Sequence, residues 1–408
     1  MNFKTIRPIT AIAFGAALSV TAPINTANAE VPEEGVQIGV ITDLTGPYSD
    51  LSGPGSVAAA ELAAEEFGGQ INGKPIEIMS ADHQNKADIA ATIARKWFDE
   101  DGVDMVIDFP NSSTALAVQE IARQKERIAI FASTGTTQIT NEACSPFGFQ
   151  WMYDTYSHSV GLVDPLIEQG LDTFFIVYVD YAFGHALEAA MREVLEERGK
   201  TVLGSETFAL NTPDLSAPLL TAKASGADAV IIAAAGTDNV NGVKTSREFG
   251  LPQDGQTIVV PTAMITDIHA MGLEAAQGAM FVDGFYWNMD DEARQFGARF
   301  EEKTGKKPTM GQAGVYSGTR HYLQAIKDAD TIDASAVAEE MRSTPVEDAV
   351  VRNGHIRADG RLVKDMYIVR VKSPADSTEE WDLEEVVTTI PGDKAFMPIE
   401  KSKCDLVQ

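Results

Sequence analysis

From residue 36 onward, short and almost wholly apolar runs alternate with longer helical stretches, and few architectures accommodate that pattern. Apolar runs at 36–44, 76–80, 103–109 and 128–132 are separated by Ala-rich or amphipathic segments at 56–67, 86–99 and 113–125. A strand with a wet face would alternate polar and apolar residues. A continuous Val/Ile/Phe run instead implies burial on both faces, as in a parallel sheet covered by helices. The alternation stops at 146–156 and then restarts, with strands expected at 173–179, 201–208, 229–235, 257–261 and 278–282 and helices at 182–198, 216–225 and 239–249. After Gly284 the pattern turns helical (291–304, 312–328, 334–342), and hairpin-like strands near 354–359 and 366–371 close the chain. The expected fold class is α/β, with two doubly wound parallel-sheet lobes and a ligand cleft between them.

The first residues read as an export signal. Lys4 and Arg7 precede an apolar segment at 9–20, and Ala27-Asn28-Ala29 supplies small residues before a cut. Cleavage is expected after Ala29, leaving 379 residues of an exported, periplasmic protein. No later apolar run is long enough to cross a bilayer. With 60 acidic against 32 basic side chains, the chain has a formal charge of −28, which repels nucleic acid and anionic lipid. An anionic ligand would therefore be held by directed hydrogen bonds. The two cysteines, Cys144 and Cys404, are expected to pair in an oxidising compartment, tying the C-terminal tail of 399–408 to a loop of the first lobe.

Catalytic signatures are missing. The six histidines show no HExxH spacing, and there is no Cys-x-x-Cys, G-x-S-x-G elbow, Walker A loop or G-x-G-x-x-G. No His/Asp/Glu cluster has ligand spacing, so neither a metal nor a cofactor is expected, and the chain is not expected to be an enzyme. Binding features are better represented. The run at 128–132 ends in Ser133-Thr134-Gly135-Thr136-Thr137, and the run at 103–109 ends in Pro110-Asn111-Ser112-Ser113-Thr114. Both are donor-rich loops at the carboxyl ends of buried strands; the second also opens a helix, whose N–H groups favour negative charge. They can converge on one carboxylate, or they can be polar turns whose hydroxyls cap the next element. Aromatic residues at other strand ends (Tyr48, Trp151, Tyr153, Tyr156, Tyr181, Phe183, Tyr286, Trp287) could wall an apolar or planar ligand.

The order of motifs resembles the periplasmic leucine/isoleucine/valine-binding protein family, the solute receptors of ABC importers. The residues that carry the resemblance are Ile38-Gly39-Val40 through Thr45-Gly46-Pro47, Asp82 with 87–94, and Asn111-Ser112-Ser113-Thr114. Asp180-Tyr181-Ala182-Phe183-Gly184 and 312–316 continue it. The resemblance implies two lobes joined by three hinge crossovers, here near 153–156, 284–287 and 343–350. The lobes would be 34–154 plus 285–345 and 155–284 plus 346–398. It also implies a small-molecule ligand, permease subunits as partners and a monomer.

Position by position, the family's carboxylate site resembles Asn111–Ser113 together with Gly135, Thr136 and Thr137, and a second-lobe aromatic matches Phe183. The family's ammonium site does not match. Its tyrosine falls near Ala235-Gly236 and its acidic residue near Thr262-Ala263. Asp238 or Asp267 could replace that acid, although neither aligns. The expected ligand is thus an aromatic or other apolar organic acid, with a branched-chain or hydrophobic amino acid as the alternative. The expected ligand-contacting set is Tyr48, Asn111, Ser112, Ser133, Gly135, Thr136, Thr137, Tyr156, Tyr181, Phe183, Asp238 and Met264. A secreted hydrolase or a ligand-sensing regulator of the same two-lobed shape are the readings from other classes.

Overall fold

The computed structural model describes Met1 and residues 31–407. Residues 2–30, which carry the expected export signal and its cut, lie outside the described residues. Among those described, no helix is long and apolar enough to cross a membrane.

The first sheet has six strands: β1 (Val36–Thr42), β2 (Gln70–Ile71), β3 (Lys74–Asp82), β4 (Met105–Asp108), β5 (Ile128–Phe131) and β6 (Gly148–Gln150). Their order is β2-β3-β1-β4-β5-β6. Five run parallel, and β2 returns antiparallel to β3. That return is a two-residue turn, Asn72-Gly73, with φ of 50° and 81°; an Asn-Gly pair adopts this left-handed conformation readily and matches the strand twist. Strands β4 and β5 are buried at every position, because helices cover both faces. Alternate residues serve different cores. Met105, Ile107 and Ile130 pack into the main cluster, whereas Val106, Ala129 and Phe131 pack into a second one under helices Ala87–Lys96 and Ser112–Lys125.

The second sheet, β7 (Thr173–Val179), β8 (Thr201–Phe208), β9 (Ala229–Ala233) and β10 (Thr257–Val259), is wholly parallel with order β10-β9-β7-β8. Both sheets reverse their winding, at β1/β4 and at β7/β9. In such sheets the crevice for ligands opens at the carboxyl ends beside the reversal.

Three expectations are corrected. Residues 278–282 do not extend the second sheet. Instead β11 (Met280–Asp283) pairs antiparallel with β14 (Met366–Val371), which in turn pairs with β15 (Glu384–Ile390). The link from β10 to β11 holds only the short helices Ile265–Met271 and Leu273–Ala276, too little chain for a crossover helix laid over the sheet. Nor do the C-terminal runs form one hairpin. β12 (His355–Ile356) pairs with β13 (Leu362–Val363), and β14 goes to the other sheet. Finally, β6 lies inside the stretch read as a break, and helix Thr155–Glu168 follows it under a capping box formed by Asp154 and Ser157.

The segment 361–364 ties together two stretches near the expected crossovers at 153–156 and 284–287. The buried Arg361 guanidinium donates to the carbonyls of Trp151 and Tyr153, the latter at 3.0 Å, and Nη1 lies 3.6 Å from Asp154. Three residues on, the buried Lys364 ammonium donates to the Gly284 carbonyl at 2.9 Å. Cys144 and Cys404 form a disulfide with Cα atoms 5.6 Å apart, holding the tail beside Asn141, whose side chain accepts from Lys403 N–H.

Candidate functional site

The carboxyl ends of the two sheets face one another, and side chains from both meet there. Tyr48, on the loop after β1, has its hydroxyl 2.7 Å from that of Tyr181 on the loop after β7. Thr237 N–H, opening the helix after β9, donates to the Pro47 carbonyl at 3.3 Å. A Cβ on Gly135, after β5, would lie 2.5 Å from the Phe183 ring. The opposed loops are therefore in direct contact. Burial raises the Tyr48 and Tyr181 hydroxyls well above the usual tyrosine range, helped by Tyr181 in the case of Tyr48 and by the Asp238 charge in the case of Tyr181, so both act as neutral donors and acceptors.

The two donor-rich loops are brought together as expected, but the roles within them divide. Asn111 serves as the N-cap of helix Ser112–Lys125, its Oδ1 accepting from Ser113 and Thr114 N–H. Its side-chain oxygen is therefore committed to the helix, and a ligand contact would fall to its amide N–H groups. Ser133 is likewise turned inward: its hydroxyl donates to Asp108 Oδ1 at 2.5 Å. Thr134 donates to the Phe109 carbonyl. These bonds hold the end of β4, where Asp108 and Phe109 adopt φ of 101° and 62°, conformations that a non-glycine residue occupies only under constraint. Ser112 is different. Its Oγ accepts from Thr136 N–H at 3.2 Å, joining the two loops and leaving its own proton available. Thr136 Oγ1 accepts from Gln138 N–H. Among the described residues, the N–H groups of Ser112, Gly135 and Thr137 and the Thr137 hydroxyl have no hydrogen-bond partner. Together with the Ser112 hydroxyl they are several unused donors within two short loops, which is what a carboxylate requires.

The opposite wall comes from the second sheet. Asp238, in the first turn after β9, is fully buried. One oxygen accepts from Asn211 N–H at 2.9 Å, and Oδ1 has no partner. Burial raises its pKa to about 6, and its charge bears on both Tyr48 and Tyr181. Asp267, raised to about 7 by burial, caps helix Ile265–Met271 by accepting from Met264 N–H and is also approached by Asn239 and the Gly236 N–H. Met264 is buried beside it. Where the family's acid was expected, Thr262 Oγ1 instead lies 2.8 Å from His158 Nδ1. Burial drives His158 down to about 3, so this pair is neutral. The imidazole stacks on Tyr153 with ring centres 4.7 Å apart, and Tyr153 in turn donates to the Ser133 carbonyl.

Four aromatic residues are not part of this wall. Tyr156 is half-buried with Lys401, Glu197, Glu193 and Asp154 as its electrostatic neighbours, at the C-terminal tail. It lies in the first turn of a helix whose next positions, Ser157 and His158, are buried instead. Trp151, Tyr286 and Trp287 are core residues that bond Ser317, Asp382 and the Trp381 carbonyl. His158, Thr262 and Asn239 were missed, because a lone histidine in a weak helix segment and a threonine after a strand carry no distinguishing spacing.

A model described as periplasmic binding protein matches residues 35–378. The chain belongs to this family. A periplasmic binding protein from Burkholderia mallei is 40% identical, covers 91% of this chain and 99% of its own, and superposes with a TM-score of 0.90. A branched chain amino acid ABC transporter periplasmic ligand-binding protein from Burkholderia xenovorans LB400 is also 40% identical, with coverage of 91% and 100% and a TM-score of 0.82. Among curated proteins, Leu/Ile/Val-binding protein homolog 6 of Brucella melitensis biotype 1 is 24% identical over 310 residues, covering 74% of this chain and 78% of its own. The architecture is that of the type I periplasmic binding proteins. The family consists of solute-binding receptors associated with ABC transport.

Proposed function

We propose that this periplasmic binding protein delivers a small apolar or aromatic organic acid to an ABC importer. The ligand carboxylate would lie between Ser112 and the 135–137 loop, with its apolar body against Tyr48, Tyr153, Tyr181, Phe183 and Met264. The observation that carries this reading is the junction of Ser112 Oγ with Thr136 N–H, which gathers unused donors from two strand ends at the cleft. Lobes of 34–154 plus 285–345 and of 155–284 plus 346–398 would hinge at the crossings. The ligand's contacts with both lobes would favour the closed form that permease subunits recognise. The neutral His158–Thr262 pair supports a ligand without an ammonium group, which would need a carboxylate at that place.

Asp238 favours the second reading, a hydrophobic amino acid. Its unpartnered Oδ1 beside Tyr48 and Tyr181 is a buried acceptor suited to an ammonium. Isothermal titration with benzoate and with leucine separates the two, preceded by native mass spectrometry to identify any co-purified acid. The organic-acid reading expects tighter binding of benzoate, and at least tenfold loss in Ser112→Ala. Tighter leucine binding that is abolished by Asp238→Asn would replace it with the amino acid reading.

A further inference from the structure

Behind the cleft wall of the second sheet lies a cavity of about 390 Å³. It opens between two strand edges, since β10 and β11 are each the outermost strand of their sheet and do not pair with one another. Helix Thr237–Glu248 presents Asp238 and Asn239 to the cleft at its start, and Val243 and Arg247 to the cavity two turns later. Likewise Thr262 and Met264 lie on the cleft side, whereas Val260 and Ala263 line the cavity. Phe281 of β11 adds to the far wall. The volume falls within the ~300–1,000 Å³ usual for small-molecule sites, and the lining is largely apolar.

One cation stands at the rim. The exposed Arg247 guanidinium donates to the Ala275 carbonyl. Among the described residues no carboxylate lies within ion-pair distance of it. The guanidinium still has donors in a planar fork that suits an anionic head group. We propose that this cavity is a second binding site, distinct from the cleft, for a small amphipathic anion: an apolar body between the two strand edges and an acid group on Arg247. A peptide strand is a poorer fit, because the β10 edge offers only Thr257–Val259. Since one helix and one loop wall both spaces, an occupant of the cavity would bear on the residues that line the cleft.

The test uses anilinonaphthalene sulfonate, a fluorescent apolar body carrying an anion, titrated into the folded protein. The expected result is saturable binding that persists in saturating benzoate or leucine. Ala279→Trp, which fills the exposed rim, should weaken binding at least tenfold, and Arg247→Gln should weaken it several-fold. Ser112→Ala, in the cleft, should leave it unchanged. Thermal midpoints matching the parent verify that both rim variants fold. No saturable binding, equal binding in Ala279→Trp, or loss in Ser112→Ala would overturn the proposal, whichever ligand the cleft takes.

Discussion

Gly135→Ala is the sharpest probe of lobe closure. The glycine sits on the loop after β5, and its missing side chain is what lets the Phe183 ring from the opposite sheet approach. An added Cβ would lie 2.5 Å from Phe183 Cε2 and 3.3 Å from Tyr153 Cε2, well inside ordinary contact. Gly135 does not hold a positive φ, so alanine brings no backbone strain and the effect is one of contact alone. Relief requires the ring or the loop to move by roughly 1 Å, and inserting a methyl into a packed contact of this kind costs about 1–3 kcal/mol. With the lobes apart the contact does not exist, so the whole penalty falls on the closed form. At about 1.4 kcal/mol per tenfold, affinity should drop roughly 5- to 150-fold, while the thermal midpoint of the ligand-free protein changes little. Calorimetric titration measures the first and scanning calorimetry the second. In a double-mutant cycle, Gly135→Ala should cost less affinity in a Phe183→Ala background than in the parent, whatever Phe183→Ala itself costs. Unchanged affinity in Gly135→Ala, or the same loss with and without Phe183→Ala, would refute closure through this contact.

Tyr48→Phe and Tyr181→Phe each remove the same 2.7 Å bond between the lobes. Each should weaken ligand binding about fivefold, for a bond worth roughly 1 kcal/mol, and the double variant should be no worse than either single one. Reducing the Cys144–Cys404 bridge opens a 260-residue loop, so stability should fall by at most about 6 kcal/mol and the thermal midpoint with it, and hydrogen exchange should rise at 399–407. Asp108 and Asp238 are raised to about 6 and Asp267 to about 7 by burial. Each, like Asp283 at about 7, keeps its proton in the folded chain to a higher pH than in the unfolded one. These four carboxyls outnumber the buried histidines that act oppositely, foremost His83 at about 4 and His158 at about 3, so stability should decline as pH rises from about 4 to about 7. Urea titrations across that range check this, and a rising trend would contradict it.

The two parallel sheets were legible because strands buried on both faces leave continuous apolar runs. Helix Thr155–Glu168 was not, since Gly161 and Pro165 argue against a helix locally. It is held by packing, with Gly161 against Val282 and Ile390. β11 was assigned to the wrong sheet because an apolar run does not name its partner. Within the site, the two donor-rich loops were recognised, but the division of labour was not. Whether Asn111 caps a helix or meets a ligand depends on where Ser113 and Thr114 N–H fall, and sequence spacing permits both. Arg361 and Lys364 gave no signal at all. In Asp-Gly-Arg-Leu-Val-Lys they look like surface charges beside a turn, and only the folded chain shows their cations among backbone carbonyls.

Those two cations have a mechanical consequence. Arg361 donates to the carbonyls of Trp151 and Tyr153 and Lys364 to that of Gly284, so one short segment holds two of the stretches near which crossovers are expected. Three separate ribbons could twist independently and let the lobes wobble about several axes. Riveted to one another, they would act as a single joint in the proposed hinge. Each angle of opening would then correspond to one outer shape, which a docking membrane protein could read without touching the cargo.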